Sequence, residues 1–337
     1  MKKKILVLLS LLILLPGCAK QLKNADGKVV TKEETGQVLI QNILCSPDDE
    51  NTLEKYRETY KKNLEDLDKK LENQEITKKA YEKEKGKLIN VDELDKCSSF
   101  KVTTGEYESI WTSIFVKPLA WLLINLGELV GNYGLAIILI TLILRLIMYP
   151  MTNKTAMQSE NIAKAQPEID KIEKKYRNKT DNESLMKKNQ ETLMVYKKYD
   201  INPISGCLFA VIQIPLFFAF YEAMSRTPAI FEGTFLKVFE LGTSPSSALL
   251  HGKWWYIILV ALVIGVTYYS FTLNKTTATS SDQARQMKTM TNIMIIMISI
   301  ATFSISTAIA LYWIFNSGFT IIQNLLVKRS KKNVKYN

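Results

Sequence analysis

Residues 133–152 read YGLAIILITLILRLIMYPMT, an apolar run interrupted by one arginine, Arg145. A run of this length matches the roughly 20 residues that a helix needs to cross a bilayer core. A permanent charge inside such a run is costly in lipid and usually faces a partner or a water-filled cavity. Both fold and function turn on how the rest of the chain accommodates it.

Four further runs, 204–225, 254–273, 289–306 and 307–328, are apolar over comparable lengths, the last two joined tightly near Ser306. The chain therefore reads as an all-α polytopic membrane protein with five transmembrane helices within residues 132–329. Ile110–Val130 is also apolar, but Lys117-Pro118 and Glu128 break it, and Trp111 and Trp121 lie among its aliphatics. A mid-run proline and an amphipathic composition predict an interfacial helix over 109–131 rather than a further span.

The opening MKKKILVLLSLLILLPGCAK has the basic start, short apolar core and small-residue exit of an export signal, assigned to residues 1–17. Leu15-Pro16-Gly17-Cys18 resembles the bacterial lipobox, which implies lipidation of Cys18 and an extracytoplasmic position for the residues directly after it. Residues 18–108 are dense in Lys and Glu. Within them Leu53, Tyr56, Tyr60, Leu64, Leu67 and Leu71 recur at helical spacing, predicting a helix over 51–71 and, after a polar break, a second over 76–89. The stripe is expected to pack the two as a helical hairpin. Cys45 and Cys97 bracket this region in an oxidising compartment and are candidates for a disulfide, although spacing leaves the pairing open. With a single histidine, His251, and no clustered ligand spacing, neither a metal nor another cofactor is expected.

With the N-terminus outside, residues 153–203, 274–288 and 329–337 face the cytoplasm. They hold eleven Lys/Arg between Lys154 and Lys198, then Lys275, Arg285 and Lys288, and four more after Lys328, against Arg226, Lys237 and Lys253 in the loop 226–253. The positive-inside rule gives the same orientation as the lipobox. Much of the net charge of +11 is thus topological, and no specific nucleic-acid partner is needed to explain it. Residues 153–203 read as a cytoplasmic helical hairpin. Met157, Ala165, Ile169, Ile172 and Tyr176 share a face of its first helix, and Leu185, Met186, Leu193, Met194 and Tyr196 do similarly in its second. Met157, Met186 and Met194 either pack the pair together or offer an adaptable first contact to hydrophobic clients. A short basic tail, 330–337, ends the chain.

Arg145 lies about 18 Å along a helix from Tyr133 and about 10 Å from Thr152, in the cytoplasmic half of its span. From there its side chain either snorkels to the headgroups or faces a polar interior. Other spans carry neutral polar residues at similar depth: Thr141 one turn before Arg145, Gln213, Thr267, Asn316, Ser317 and Gln323. The only acidic candidate, Glu222, is near the outer end of its helix. An arginine among neutral hydrogen-bonding groups predicts a hydrated cavity open to the cytoplasm, with Trp313 either supporting it or anchoring a packed interface. An ion-coupled transporter is the competing class. It calls for an acidic coupling residue and paired broken helices, and neither is evident.

The order of parts is a span containing LILRLIMYPMT, a charged cytoplasmic helical pair, INPISGCLFAVIQIPLFFAFYEAM, and a final ALYWIFNSGFTIIQNLLVKR. Over residues from about 105 to 329 this resembles the membrane protein insertases of the Oxa/Alb family. The lipobox and five spans are similar to its Gram-positive lipoprotein form. The resemblance implies a non-enzymatic insertase and chaperone, multi-pass in the bacterial cell membrane with its C-terminus in the cytoplasm. Its implied partners are nascent membrane proteins and membrane lipids, with the Sec translocon and the ribosome as further candidates. Arg145 is then the central charge of an inner-leaflet groove. Two features depart from the family pattern: the charged domain after Cys18 is longer, and the tail KRSKKNVKYN is short, which weakens the case for ribosome docking through it.

Overall fold

The computed structural model describes residues 19–179, 181–202, 205–273 and 281–333, without the side chains of 205–212, 281–288 and 331–333. The expected signal segment, the lipidation site Cys18 and the last four residues of the tail lie outside the described residues. The chain divides into two compact units. One comprises Met1–Ile140, Pro215–Ile257 and Ser304–Leu311, the other Thr141–Ile214, Ile258–Phe303 and Tyr312–Asn337.

In the first unit the predicted helical stripe forms α1 (Glu50–Glu72), capped by the Asp49 carboxylate, which accepts from the Thr52 N–H. The next helix, α2 (Lys78–Lys85), is shorter than 76–89 because it stops at Gly86. The expectation of an all-α domain fails before α1. Residues 20–44 form antiparallel bridges pairing Gln21 with Ile40, Lys23 with Val29 and Thr31 with Val38. Gly27 and Gly36 supply left-handed φ values of +76° and +64° at their turns. Thr35, Gln37 and Leu39 are buried while their neighbours are not, the period of two that marks an extended chain.

The N-terminal part of the α1 stripe, Leu53 and Tyr56, packs on this extended segment, while α1 also meets α2. Tyr56 is buried with Leu22, Leu39, Ile43, Val91 and Phe231. Its hydroxyl donates to the Ile40 carbonyl at 2.6 Å and accepts from the Ile40 N–H at 3.2 Å, so the buried polar end is satisfied. The link from α2 to α1 includes Tyr81, whose hydroxyl donates to Asp68 at 2.7 Å. Cys45 and Cys97 are joined by a disulfide.

Ile110–Val130 is one helical run, a π turn at Thr112–Val116 leading into α3 (Lys117–Val130). The expected break at Lys117-Pro118 is absent for two physical reasons. Pro118 closely follows the π turn at Thr112–Val116, where the regular α-helical hydrogen-bond ladder is already altered. Lys117 is buried, but its ammonium donates to the carbonyls of Thr104 at 2.6 Å and Glu106 at 3.2 Å. Thr112–Val130 is consequently long and apolar enough to cross a membrane, contrary to the length argument for an interfacial helix.

The remaining helices are α4 (Tyr133–Ile147), α5 (Tyr149–Tyr176), α6 (Asn182–Lys198), α7 (Ser205–Ser225), α8 (Pro228–Phe231), α9 (Pro245–Leu250), α10 (Ile257–Leu273), α11 (Ser281–Ala301) and α12 (Thr307–Asn333). A two-stranded antiparallel hairpin, β1 (Thr234–Phe235) and β2 (Phe239–Glu240), lies between α8 and α9. Among the described residues Thr112–Val130, Trp254–Leu273 and Thr307–Ser330 are long and apolar enough to span a membrane. The pair α4 and α5, bent by 72°, is a fourth if counted as one span, and Thr289–Ala301 is a shorter apolar helix. The architecture is mostly helical.

In the second unit α5 and α6 pack through Ile162, Ala165 and Ile169 against Val195 and Tyr196, with Ile201 closing the cluster. The predicted face of α6 is only partly right: Tyr196 is buried, but Leu185, Met186, Leu193 and Met194 are exposed. Valine and threonine, at 195 and 192, do the packing instead.

Candidate polar site around helix α12

The second unit contains all the polar residues predicted to share one environment. α4 places Thr141 and Arg145 one turn apart, and both are buried. Arg145 is only 2% exposed, and its Nε donates to Asn316 Oδ1 of α12 at 2.7 Å. The guanidinium therefore turns toward another helix instead of snorkelling outward. Hydrogen bonds to a charged donor are stronger than neutral ones, so this contact holds the side chain in place while leaving its net charge intact.

Three more contacts converge on α12. Gln213 Nε2 of α7 donates to the Tyr312 hydroxyl at 2.9 Å, and Trp313 Nε1 donates to Thr267 Oγ1 of α10 at 2.9 Å. Gln323 Nε2 donates to Thr152 Oγ1 of α5 at 2.9 Å. Tyr312, Asn316 and Gln323 are spaced four and seven residues apart, which puts them on one stripe, with Trp313 about 100° round the helix. The stripe runs about 16 Å along α12. Every contact pairs α12 with a different helix, so one polar face organises four neighbours. Thr320 and Asn324 also bond back to α12 carbonyls at 3.1 and 2.9 Å.

Arg145, Gln213, Thr267, Trp313, Asn316 and Gln323 are thus brought into a common ladder. Thr141 is buried one turn from Arg145, and Ser317 is buried about 100° round α12 from Asn316. Sequence reasoning did not single out Tyr312 and Thr152 as partners. Tyr312 was findable from its four-residue spacing to Asn316. Thr152 lies beyond the bend between α4 and α5, where helical spacing no longer predicts direction.

The methionines form a separate feature. Met157 is exposed on α5, and Met186 and Met194 are 64% and 67% exposed on α6. None is a member of the cluster that joins these two helices.

The model of the family described as 60Kd inner membrane protein matches residues 125–334. The membrane protein insertase YidC of Oceanobacillus iheyensis is 37% identical over 231 residues, covering 67% of this chain and 86% of that protein. The membrane protein insertase MisCA of Bacillus subtilis is 36% identical over 235 residues, covering 69% of this chain and 85% of that one. A crystal structure of an active YidC insertase with its first transmembrane domain resolved aligns with a TM-score of 0.45 at 28% identity. That alignment covers 67% of this chain and 48% of the other.

Proposed function

The chain belongs to the 60Kd inner membrane protein family, and from that premise we propose that it is a membrane protein insertase and chaperone working through a cytoplasm-facing groove centred on Arg145. It is not an enzyme; its work is transfer between solvents. The observation that carries the groove is the buried Arg145 guanidinium held by the neutral amide of Asn316. An acidic or polar client segment enters on the cytoplasmic side, stabilised by that charge and by the polar face of α12. Its apolar helix stays along the lipid-facing flank. Placing a charge at mid-bilayer costs about 2.5–3.5 kcal/mol on insertion scales, and a groove reaching half-way reduces this step without a nucleotide. The membrane potential adds about 2.3 kcal/mol per charge per 100 mV for acidic segments moving outward.

The same reading gives five spans in residues 132–329, lipid-anchored Cys18 outside, an extracytoplasmic domain over 18–108 and the α5–α6 pair with the basic tail inside. It places the protein in the bacterial cell membrane. The helix over 109–131 lies along the interface, its composition supporting that role even though its length permits crossing. Met157, Met186 and Met194 serve as the first contact for nascent membrane proteins, supported by their exposure on α5 and α6. The Sec translocon and the ribosome are the partners against which these cytoplasmic surfaces are to be tested.

Depletion and rescue tests the proposal. Wild type, Arg145→Ala and Arg145→Lys are expressed in a strain lacking its insertase, and insertion of small single-span clients is scored. Wild type and Arg145→Lys are expected to rescue, since a positive field rather than a planar fork is needed. Wild type that rescues no client overturns the insertase reading; Arg145→Ala that rescues every client overturns the role of the charge.

A further inference from the structure

β1 and β2 are joined by a tight turn centred on Leu236-Lys237, closed by the Val238 N–H donating to the Phe235 carbonyl at 3.2 Å. Both turn residues have left-handed φ, +53° and +57°, a geometry that hairpins normally assign to Asn-Gly. Leucine and lysine are disfavoured there because their Cβ crowds the backbone. Leu236 is nevertheless 65% exposed at the tip, with Val238 and Lys237 exposed beside it. A turn facing water gains nothing from these residues.

The position of the turn is set by the start of α4. Asn132 caps α4 by accepting from the Leu135 N–H at 3.0 Å, and its Nδ2 donates to the Thr234 carbonyl at 3.0 Å. Phe235 lies so close over Gly134 that a Cβ there would fall 2.5 Å from its ring. On the other side, the Glu240 N–H donates to the Tyr256 hydroxyl at 2.8 Å and the Glu240 carboxylate binds the Lys253 ammonium at 2.6 Å. Leu250, 87% exposed, and the exposed Trp254 adjoin that second attachment. The hairpin is therefore tied to the start of α4 and to the turn that leads into α10.

We propose that the Leu236-Lys237-Val238 turn is a membrane-interface anchor, its apolar side chains entering the outer-leaflet boundary and Lys237 pairing with the phosphates of anionic phospholipid. Two things select lipid as the occupant: the apolar tip is fastened beside the starts of two apolar helices, and its exposed charge is positive. The inference rests on reading those helices as spans that begin on the outer side.

The test uses the full chain with its disulfide intact, in phosphatidylcholine vesicles with and without phosphatidylglycerol. An environment-sensitive fluorescent amino acid replaces Leu236, Leu262 within α10, or Lys83 on α2. At 236, lipids spin-labelled near the headgroup are expected to quench at least about twofold more than at 83, while iodide does the reverse. Lys237→Glu should reduce the quenching at 236 only where phosphatidylglycerol is present. Equal iodide access at 236 and 83 overturns the anchor, as does quenching that tracks protein density instead of lipid label, which would make the occupant a second copy. If 262 reports lipid while 236 reports water, the anchor alone is wrong; if 262 also reports water, the span reading beneath it has failed.

Discussion

Two buried arginines in this chain are treated in opposite ways. Arg226, fully buried in the first unit, meets carboxylates: one Nη donates to Glu108, and the other lies 3.6 Å from Glu222. Its Nε donates to the Asn42 carbonyl at 2.6 Å, and Trp111 completes the group by donating to Glu222 at 3.0 Å. Arg145, buried in the second unit, is bonded to the neutral amide of Asn316. Coulomb attraction between unit charges 4 Å apart is about 4 kcal/mol at an effective dielectric of 20, so carboxylate partners largely cancel the outward field of a guanidinium. A bond to a neutral amide does not by itself cancel that field. Arg226 thus reads as a clamp joining the N-terminal segment, the start of the 110–130 helix and the end of α7, whereas the role proposed for Arg145 is to present its charge to a client.

The largest expected effect breaks the clamp. Arg226→Ala leaves Glu222 and Glu108 without their cation and should cost about 3–5 kcal/mol of stability, the range for opening a buried ion pair. Thermal unfolding in detergent and cellular abundance read it out. Replacing all three charges by apolar residues of similar size, as in Arg226→Met with Glu222→Leu and Glu108→Leu, should recover most of the loss. A triple variant as unstable as Arg226→Ala would show that the clamp contributes more than charge balance.

The second expected effect falls on activity. Arg145→Ala should lower client insertion by on the order of tenfold or more, since the proposed groove then loses the charge that Arg145 sets against a cost of about 2.5–3.5 kcal/mol. Thermal stability should change far less than for Arg226→Ala. A loss of stability matching that of Arg226→Ala would erase the distinction between the two arginines and make both structural.

How much of this difference is legible in the sequence depends on what surrounds each residue. Arg145 stands out because it interrupts an apolar run, and the residues later found near it are polar exceptions in other such runs. Arg226 gives no such signal. It sits at a helix end, and its partners Glu108 and Asn42 are 118 and 184 residues away in a charged segment where any acidic residue looks alike. The extended segment 20–44 escaped for a related reason: its buried face includes Thr35 and Gln37, so burial there does not track hydrophobicity. The apolar stripe of α1 was visible, but the extended segment over its first turns was not, because periodicity names the face that is buried and not what covers it. In α6 the apolar residues themselves misled, since four of the five predicted for one face are exposed.

A half-buried carboxyl extends the comparison to pH. Glu232, outside the spans, has its carboxyl pushed up to about 7, chiefly by burial, against the opposing pull of the Asp49 and Asp48 N–H groups and of Lys32; Asp49 adds to the rise. Those two N–H groups, each 3.3 Å from the carboxylate, belong to the start of α1. An unfolded chain ionises this group near 4.5, so between that pH and 7 the folded state holds the extra proton. The stability it contributes is complete below about 4.5 and is lost as pH rises through about 7. A change on the order of 1–3 kcal/mol is expected between pH 5 and 8, seen as easier tryptic cleavage of the lysine-rich segment at the higher pH. Asp49, held below its usual range by the Thr52 hydroxyl, acts with the opposite sign but below this window. Glu232→Gln should flatten the profile; an unchanged profile would assign it to another group.

The smallest effect should come from the neutral rungs on α12. Thr267→Val removes the acceptor of the 2.9 Å bond between α10 and α12 at nearly the same volume, and Trp313→Phe removes the donor while keeping an aromatic ring. Hydrogen bonds between helices in a bilayer average about 0.6 kcal/mol and rarely exceed about 1.7, because the separated helices find other partners. A double-mutant cycle on stability should return a coupling of that size, with insertion changed less than about threefold. If either substitution instead reduced insertion as far as Arg145→Ala, the oriented dipoles along α12 would be carrying the clients. The charge at 145 would then be one member of a polar surface, and its contrast with Arg226 would reduce to the choice of partner.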